Sequence, residues 1–455
     1  SLSGCVTTET SVAPNLLVPD AYSTAPTVSP RAATGWLDDL SAPKLEALVE
    51  EAIRFNNNLA ASAARLKAAR ANVKLAGAAR LPQVSIDSGT SRRKSVGAVN
   101  NKPVDSYVTD YNIGANLGWE MDLWGRLANR KQAAAADFQA VAADHHGFKL
   151  SLAANVARSW FHAAEAELQV RLARNTVESL EKNLRVLERG VDLGTSEPLD
   201  LRLTRASLEN ARSNFESQNG LRDQRARALE VLLGRYPSNQ IDVQSDLPAL
   251  RRDVPAGLPS ALLIRRPDLI ASERRLAAVT ERVAAAKKDL LPSLNLSGNT
   301  GTNSDQLRRL VDAEFLAWSI AAGLFQPVFQ GGGLTATLTR TQAQQEEAIA
   351  NFREDVLQAF REVETALAAE AILARQVQAQ ERGVAESIAA EDLAWNQYSR
   401  GLVDGITWLE AQRRSFNSRS GLLQLRNRRL QNRIDLYLSL GGDFKTRPTS
   451  ETKSN

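Results

Sequence analysis

Hydrophobic and polar residues alternate one by one along four short segments, and this period of two predicts strands with one apolar and one polar face. The segments are 83–89, 111–121, 293–299 and 316–324. In the second, apolar side chains from Tyr111 to Met121 alternate with Asn, Gly and Glu. About twenty polar residues separate the first two segments, which predicts a hairpin with a long polar loop.

Most of the remaining chain follows a helical period. Proline is absent and glycine rare between Gly125 and about Glu188. This stretch predicts one very long helix, on the order of 90 Å at a rise of about 1.5 Å per residue. A break at 190–201 predicts a turn, after which a second long helix runs to about Gly234.

The second half of the chain repeats the first. Each of three anchors has a counterpart about 206 to 210 residues later, in the same order, which indicates a tandem duplication. The paired anchors are Pro82 and Pro292, Gly125 and Gly331, and Gly194 and Gly401.

This duplication divides the chain into an extended N-terminal segment, a first repeat, a connector, a second repeat and a disordered C-terminal tail. The predicted bounds are 1–35, 36–235, 236–266, 267–444 and 445–455, with hairpins at 81–124 and 292–328 and helix-pair tips at 190–201 and 398–413.

Two-faced strands of roughly 8–11 residues are typical of a transmembrane β-barrel, with lipid outside and a wet lumen inside. Four strands cannot close a barrel, and an open sheet edge is not stable in hydrocarbon. Several chains must therefore contribute: two would give a filled eight-stranded barrel, and three a twelve-stranded channel. A small soluble sheet packed on helices would also alternate, but it does not need helices of this length.

Composition and charge exclude other classes of protein. The 455 residues are 24% charged, with a mean hydropathy of −0.30, and no apolar run reaches the roughly 18 residues of a transmembrane helix. The net charge of +4 comes from basic residues spread along helical stretches, without a compact patch or a reading motif. Nucleic-acid binding is therefore not predicted.

The single cysteine, Cys5, excludes a disulfide within the chain. It follows Leu2, Ser3 and Gly4, and this LSGC stretch resembles the lipobox of bacterial lipoproteins, whose cysteine is lipidated. Lipidation of Cys5 is the prediction, and an unmodified cysteine in an extended segment is the alternative. Val6 stands where an aspartate would favour retention in the inner membrane, so the outer membrane is compatible.

Residues suited to catalysis or metal binding are few. His145, His146 and His162 are the only histidines, and the adjacent pair cannot share one helix face. The glycines at 331–333 lack the Lys-Ser/Thr of a phosphate-binding loop. We predict no enzyme activity, no cofactor and no bound metal.

The ordered set of motifs resembles the outer-membrane factor family of TolC-like channels, and most of all its lipoprotein branch, which serves RND-type tripartite efflux pumps. The motifs are RRPDLIASERRL at 265–276, LLPSLNLSG at 290–298 and LFQPVFQGG at 324–332, within a duplicated plan that covers about 36–444. The resemblance implies a mostly α fold with a transmembrane β-barrel. It implies a homotrimer with a twelve-stranded barrel, a long α-helical barrel and a mixed equatorial belt.

The same resemblance implies a gate and a docking surface at the two tips. The gate residues are Asp200 and Tyr398 as a latch between helices, Ile406 and Glu410 as constriction rings, and Arg413 as a partner for an acid. The docking residues are Gly194, Thr195, Ser196, Gly401, Leu402, Val403 and Asp404. Three copies of Glu410 would form an anionic ring. The alternative is that Glu410 and Asp200 are solvated residues of the two tips.

Two departures from the family pattern bear on the latch. Val403 and Thr407 stand where family members have an arginine and an aspartate, so a latch that depends on those two side chains is not expected.

The function implied by the resemblance is a passive exit duct for drugs or other small molecules. Its partners would be a periplasmic adaptor (membrane fusion protein), an inner-membrane RND-type transporter and outer-membrane lipid, and its place the outer membrane with an extension into the periplasm. A duct of the same family for metal or protein export, and a soluble helical scaffold, are the alternatives.

Overall fold

The computed structural model describes residues 18–24, 35–40, 43–99, 101–243, 247–250, 254, 257 and 259–442. Most of these residues are helical, which confirms the mostly α prediction. The helices are α1 Trp36–Asp39, α2 Pro43–Phe55, α3 Asn57–Ala78, α4 Arg126–Asp192, α5 Pro198–Leu232, α6 Leu262–Arg265, α7 Pro267–Lys288, α8 Gly333–Tyr398 and α9 Gly405–Ser439. Within this described part, no helix is both long enough and apolar enough to cross a membrane.

Helices in the two halves of the chain match in length. The very long helices α4 and α8 have 67 and 66 residues. Both α5 and α9 have 35 residues, and both α3 and α7 have 22. Each of these pairs joins elements that occupy the same place in the order of the two halves.

The strands form one antiparallel sheet in the order β1-β2-β3-β4. They are β1 Gln83–Val99, β2 Lys102–Met121, β3 Ser293–Ser304 and β4 Leu316–Phe325. The long polar loop predicted between the first two strands was wrong, because pairing continues to Val99 and Lys102. Only residues 100 and 101 lie between these two strands, and Asn101 has a φ of 57°, typical of a tight hairpin turn.

The register brings the apolar residues of all four strands to one face. One row across the sheet is Val84, Leu117, Gly298 and Ile320, and the next is Ile86, Ala115, Thr300 and Trp318. The large side chains of β1 and β4 on this face are exposed in the single chain. The opposite face carries polar and small residues, among them Gln83, Asp87, Asn112, Asn116, Asn295 and Asn299.

The chain forms two compact units. The second comprises Ala64–Ala142 and Ala271–Arg353, and it contains the sheet. At the point where β2 leads into α4, the guanidinium of Arg126 lies 2.6 Å from a carboxylate oxygen of Glu120 and 3.0 Å from one of Asp289. Asp122 accepts hydrogen bonds from the amides of Leu127 and Ala128, which caps the start of α4.

The first unit contains the described residues of Ser1–Ala63, Ala143–Ile270 and Glu354–Asn455. Its most buried cation is Arg433 of α9, which pairs with Glu370 of α8 at 2.6 Å and with Asp39 of α1 at 3.2 Å. The Tyr437 hydroxyl also donates to Asp39, at 2.9 Å. A buried arginine is tolerated when carboxylates surround it in this way, and the network fixes α1 against α9.

Candidate functional site

The turn from α4 to α5, residues 193–197, and the turn from α8 to α9, residues 399–404, share one geometry. Gly194 and Gly401 have φ values of 71° and 72°, in the left-handed region that favours glycine. The amide of the residue after each glycine donates to the carbonyl oxygen five residues earlier, at 2.7 and 3.0 Å. Both helices therefore end in a Schellman motif.

The helices that follow these turns begin differently. Pro198 opens α5, where its missing amide hydrogen costs nothing. Asp404 caps α9, because its carboxylate accepts from the backbone amide of Thr407 at 2.8 Å. Hydrogen bonds from Thr407 hold the pKa of Asp404 below its usual range. Thr407 thus takes part in the local turn through its side chain and its backbone amide.

Asp200 and Tyr398 form the contact between the two turns. The Tyr398 hydroxyl donates to a carboxylate oxygen of Asp200 at 2.9 Å, and Asp200 is buried in the first turn of α5. Burial, and then the hydrogen bond to Asp200, raise the pKa of Tyr398. The phenol therefore remains a donor at neutral pH.

Gly405 explains how the Asp200 carboxylate reaches the start of α9. A Cβ atom at this position would lie 2.5 Å from both Cγ and Oδ1 of Asp200. A side chain at position 405 would therefore displace the Asp200 carboxylate from its observed place. The carboxylate consequently lies against the N-terminus of α9, where the helix dipole favours negative charge.

An aromatic cluster packs beside the contact between Asp200 and Tyr398. Trp408 of α9 is 1% exposed, and its ring centroid lies 4.9 Å from that of Trp395 and 5.7 Å from that of Tyr398. Leu180, Leu187 and Leu208 pack in the same core. All four long helices therefore contribute to one packed cluster beside the two turns.

Glu410 is paired with arginines of its own helix. Arg413 and Arg414 lie 2.6 and 2.7 Å from its carboxylate oxygens, at spacings of three and four residues. Hydrogen bonds from Arg414 and Arg413 lower the pKa of Glu410. The carboxylate thus remains ionised at neutral pH, with two guanidinium groups beside it.

The predicted gate residues fall into two groups. Asp200 and Tyr398 form the hydrogen bond between the start of α5 and the end of α8. Ile406, Glu410 and Arg413 lie together along a groove of about 480 Å³ between α4, α5 and α9. No hydrogen bond or ion pair joins the two groups within the described part of one chain.

The predicted docking residues lie at the surface of the turns. Gly194, Thr195, Gly401, Leu402 and Asp404 are exposed, whereas Ser196 and Val403 are half-buried. Leu402 is 68% exposed.

Leu193 and Leu199 extend this surface, at 79% and 58% exposure. Sequence reasoning did not include them, although both flank the Gly-Thr-Ser-Glu-Pro stretch that predicted the first turn. Each turn thus presents exposed leucine side chains.

Three further residues were missed. The spacing of four residues from Glu410 signalled Arg414 in the sequence. Nothing in the pattern signalled the contact of Gly405 with Asp200, or the cluster around Trp408, because both depend on helices far apart in the chain.

The two other predictions about sites concern lipidation of Cys5 and bound metal. Cys5 lies outside the described residues. Among the residues that the structure describes, no group of three or more His, Cys, Asp or Glu side chains is arranged to hold a metal ion.

Comparison with known proteins finds one matching family model and relatives that align over most of the chain. The family model described as "Outer membrane efflux protein" matches residues 48–235 and 258–442. The chain is 29% identical over 453 residues to the "Cation efflux system protein CusC" of Escherichia coli O6:H1 (strain CFT073), covering 98% of this chain and 97% of that protein. It is 31% identical over 417 residues to the "Pyoverdine export outer membrane protein OpmQ" of Pseudomonas putida (strain KT2440), covering 90% and 88%.

A solved structure gives the same result at the level of the fold. The outer-membrane channel OprN superposes with a TM-score of 0.87 at 26% identity, covering 96% of this chain and 99% of that one. The chain thus has the fold of an outer-membrane channel and belongs to the outer membrane efflux protein family.

Proposed function

We propose that three copies of this chain form the outer-membrane exit duct of a tripartite efflux pump. The observation that carries the proposal is the sheet, which has one exposed apolar face and one polar face. Its edge strands β1 and β4 each pair with one strand only, so among the described residues of one chain the outer edge of each is unpaired. Pairing β1 of each copy with β4 of the next would close a twelve-stranded barrel. The apolar face would then contact lipid and the polar face would line the lumen.

The helices would continue this duct into the periplasm. We propose that the chain is a tandem duplication, supported by the matched lengths of α3 and α7, α4 and α8, and α5 and α9. In a trimer, six hairpins of long helices, α4 with α5 and α8 with α9 from each copy, would form the α-helical barrel. The connector 236–266 would contribute to an equatorial belt between the two repeats, 36–235 and 267–444.

The tips would form the periplasmic gate. The hydrogen bond from Tyr398 to the buried Asp200 supports a latch that holds α8 against the start of α5. The arginines beside Glu410 change the ring proposed for this position, because each copy brings two guanidinium groups for one carboxylate. The ring at Glu410 would therefore be a mixed ring with an excess of positive charge, rather than an anionic one.

The exposed leucines of the turns support docking to a periplasmic adaptor. Leu193, Leu199 and Leu402 present apolar surface beside backbone groups that the Schellman motifs hold in place. Apolar side chains at the end of a helical hairpin fit an apolar partner surface of similar size. The adaptor would connect the duct to an inner-membrane RND-type transporter, and a lipid on Cys5 would anchor the N-terminal segment in the outer membrane.

Small molecules such as drugs are the proposed cargo. The names of the relatives point to different cargoes, since CusC is a cation efflux protein and OpmQ a pyoverdine export protein. Metal export and protein export are the alternatives that the following experiment separates.

Deletion of the gene in the source bacterium is expected to raise the accumulation of fluorescent drug substrates several-fold, because the pump loses its exit. The wild-type gene should restore efflux, whereas Leu193→Asp with Leu402→Asp should not, since charge at the turns would oppose an apolar adaptor contact. Ser238→Asp, which adds one acid at an exposed position of the connector, is the control for an added surface charge and should restore efflux.

The other outcomes assign the alternatives. Sensitivity to metal cations alone would contradict a drug duct and favour metal export. Loss of a secreted protein alone would favour protein export. A chain recovered only in the soluble fraction, with unchanged accumulation, would contradict the duct altogether.

A further inference from the structure

The β1–β2 hairpin is longer than the rest of the sheet. Strand β3 pairs with β2 only as far as Tyr111 and Ser304, whereas β1 and β2 remain paired through a further stretch to Val99 and Lys102. This extension comprises residues 91–110. It lies at the turn of the hairpin, the end that is farthest along the strands from α3 and α4. In the proposed barrel it would therefore be the extracellular end.

The register decides which side chains of the extension face lipid. Arg92 pairs with Thr109 and Lys94 with Tyr107. Alternate residues of a strand share a face, so Arg92 and Lys94 lie on the same face as Ile86, the apolar one. Arg93 lies on the opposite, polar face.

The height of these residues matches the edge of a bilayer. Apolar residues of β2 on the outward face run from Met121 to Tyr111, about 34 Å along the strand at a rise of about 3.4 Å per residue. A strand tilt of about 40° reduces this to about 26 Å, close to the apolar band of about 25 Å on outer-membrane barrels. Arg92 is level with Thr109, the next outward position above that band.

The two cations are grouped around one aromatic ring. The Arg92 guanidinium carbon lies 5.6 Å and the Lys94 ammonium 5.8 Å from the centre of the Tyr107 ring. Asp105 pairs with Lys94 at 2.7 Å, while no carboxylate of the described residues is paired with Arg92. The group therefore keeps an excess of positive charge, and Tyr107 holds both cations in place.

We propose that Arg92, Lys94 and Tyr107 form a binding site for the phosphate groups of an anionic lipid in the outer leaflet. The proposal rests on the barrel proposed above, which turns this face toward lipid. Phosphates of such a lipid lie at the edge of its acyl chains, as this site lies at the edge of the apolar band. The Arg92 fork presents paired donors that match phosphate oxygens, and Lys94 adds a point charge.

Native mass spectrometry of the detergent-purified oligomer tests the site, with bisphosphorylated lipid A and its dephosphorylated form as probes. The wild type should prefer the bisphosphorylated form. Arg92→Ala with Lys94→Ala should weaken its binding by about tenfold or more, the loss expected for charge-assisted hydrogen bonds to phosphate. Arg93→Ala removes a cation one residue away on the opposite face, and it should bind as the wild type does.

Three outcomes would overturn the site: no preference for phosphate, an equal loss in Arg93→Ala, or full displacement of the lipid by inorganic phosphate alone. The size and conductance of the same preparation are measured first. A wild type that forms no membrane channel counts against the proposed function, whereas a channel without phosphate preference counts against the lipid site alone.

Discussion

Gly301→Ala is expected to prevent most of the protein from assembling in the outer membrane. Gly301 of β3 lies opposite Gly114 of β2. A Cβ atom at this position would lie 2.5 Å from the carbonyl oxygen of Ile113 and 2.8 Å from the Cα atom of Gly114. Both are backbone atoms, so the two strands must separate, at a cost of about 1–3 kcal/mol or more in each copy. The measurement is the yield of heat-resistant oligomer in outer-membrane fractions.

Gly118→Ala is the matched control for this substitution. Gly118 lies on the same face of the same pair of strands, opposite Ser297, but a Cβ atom there would have no neighbour within 4 Å. This variant should assemble as the wild type does. Equal yields from Gly301→Ala and Gly118→Ala would contradict the tight approach of β2 and β3 described above.

Removal of the latch is expected to open the channel. Asp200→Ala deletes the buried acceptor, and Tyr398→Phe deletes the donor while it keeps the aromatic ring of the cluster. A hydrogen bond to a buried carboxylate contributes about 1.5–3 kcal/mol, so each variant should raise the open population about tenfold or more. Single-channel conductance in a planar bilayer measures this as frequent large openings from a nearly closed wild type.

Two comparisons make the conductance test specific. Glu197, three residues before Asp200, is an exposed acid whose side chain makes no capping hydrogen bond at the start of α5. Glu197→Ala should therefore leave the conductance unchanged. The double variant should open no further than Asp200→Ala alone, because both substitutions break one bond. A conductance that stays small in all variants would contradict the latch.

The sheet shows where the sequence was informative and where it was not. Alternation predicted the strand at 111–121 and its apolar face, because a face that would contact lipid requires apolar side chains. The same strand continues through 102–110, where Tyr107 and Thr109 occupy the outward positions beside Lys94 and Arg92. There the inward face also carries Val104 and Val108, so neither face is uniformly apolar or polar. The period of two disappears, while the backbone pairing does not.

The helix turns show a similar division. Gly194 and Gly401 were recognised because a left-handed residue at a helix end requires glycine, a local rule. The contact of Asp200 with Tyr398 was proposed only from a family resemblance, since the two residues are 198 positions apart. The fit of Gly405 against Asp200 and the packing around Trp408 depend on tertiary structure and left no periodic signal.

Closure of the barrel by three copies is the central claim, and cysteine cross-linking between edge strands tests it most directly. Ile86→Cys in β1 is combined in turn with Trp318→Cys, Ile320→Cys and Ala322→Cys in β4, all on the apolar face. Ser319→Cys, on the polar face, is the control. Variants that carry only one of the added cysteines show how much cross-linking arises from disulfides with Cys5.

After oxidation in membranes, one of the three combinations should give a ladder of cross-linked products that ends at three chains, because the third bond closes the ring. The control on the polar face should cross-link poorly. A ladder that ends at two chains, continues past three, or fails to form in all combinations would contradict the trimeric barrel.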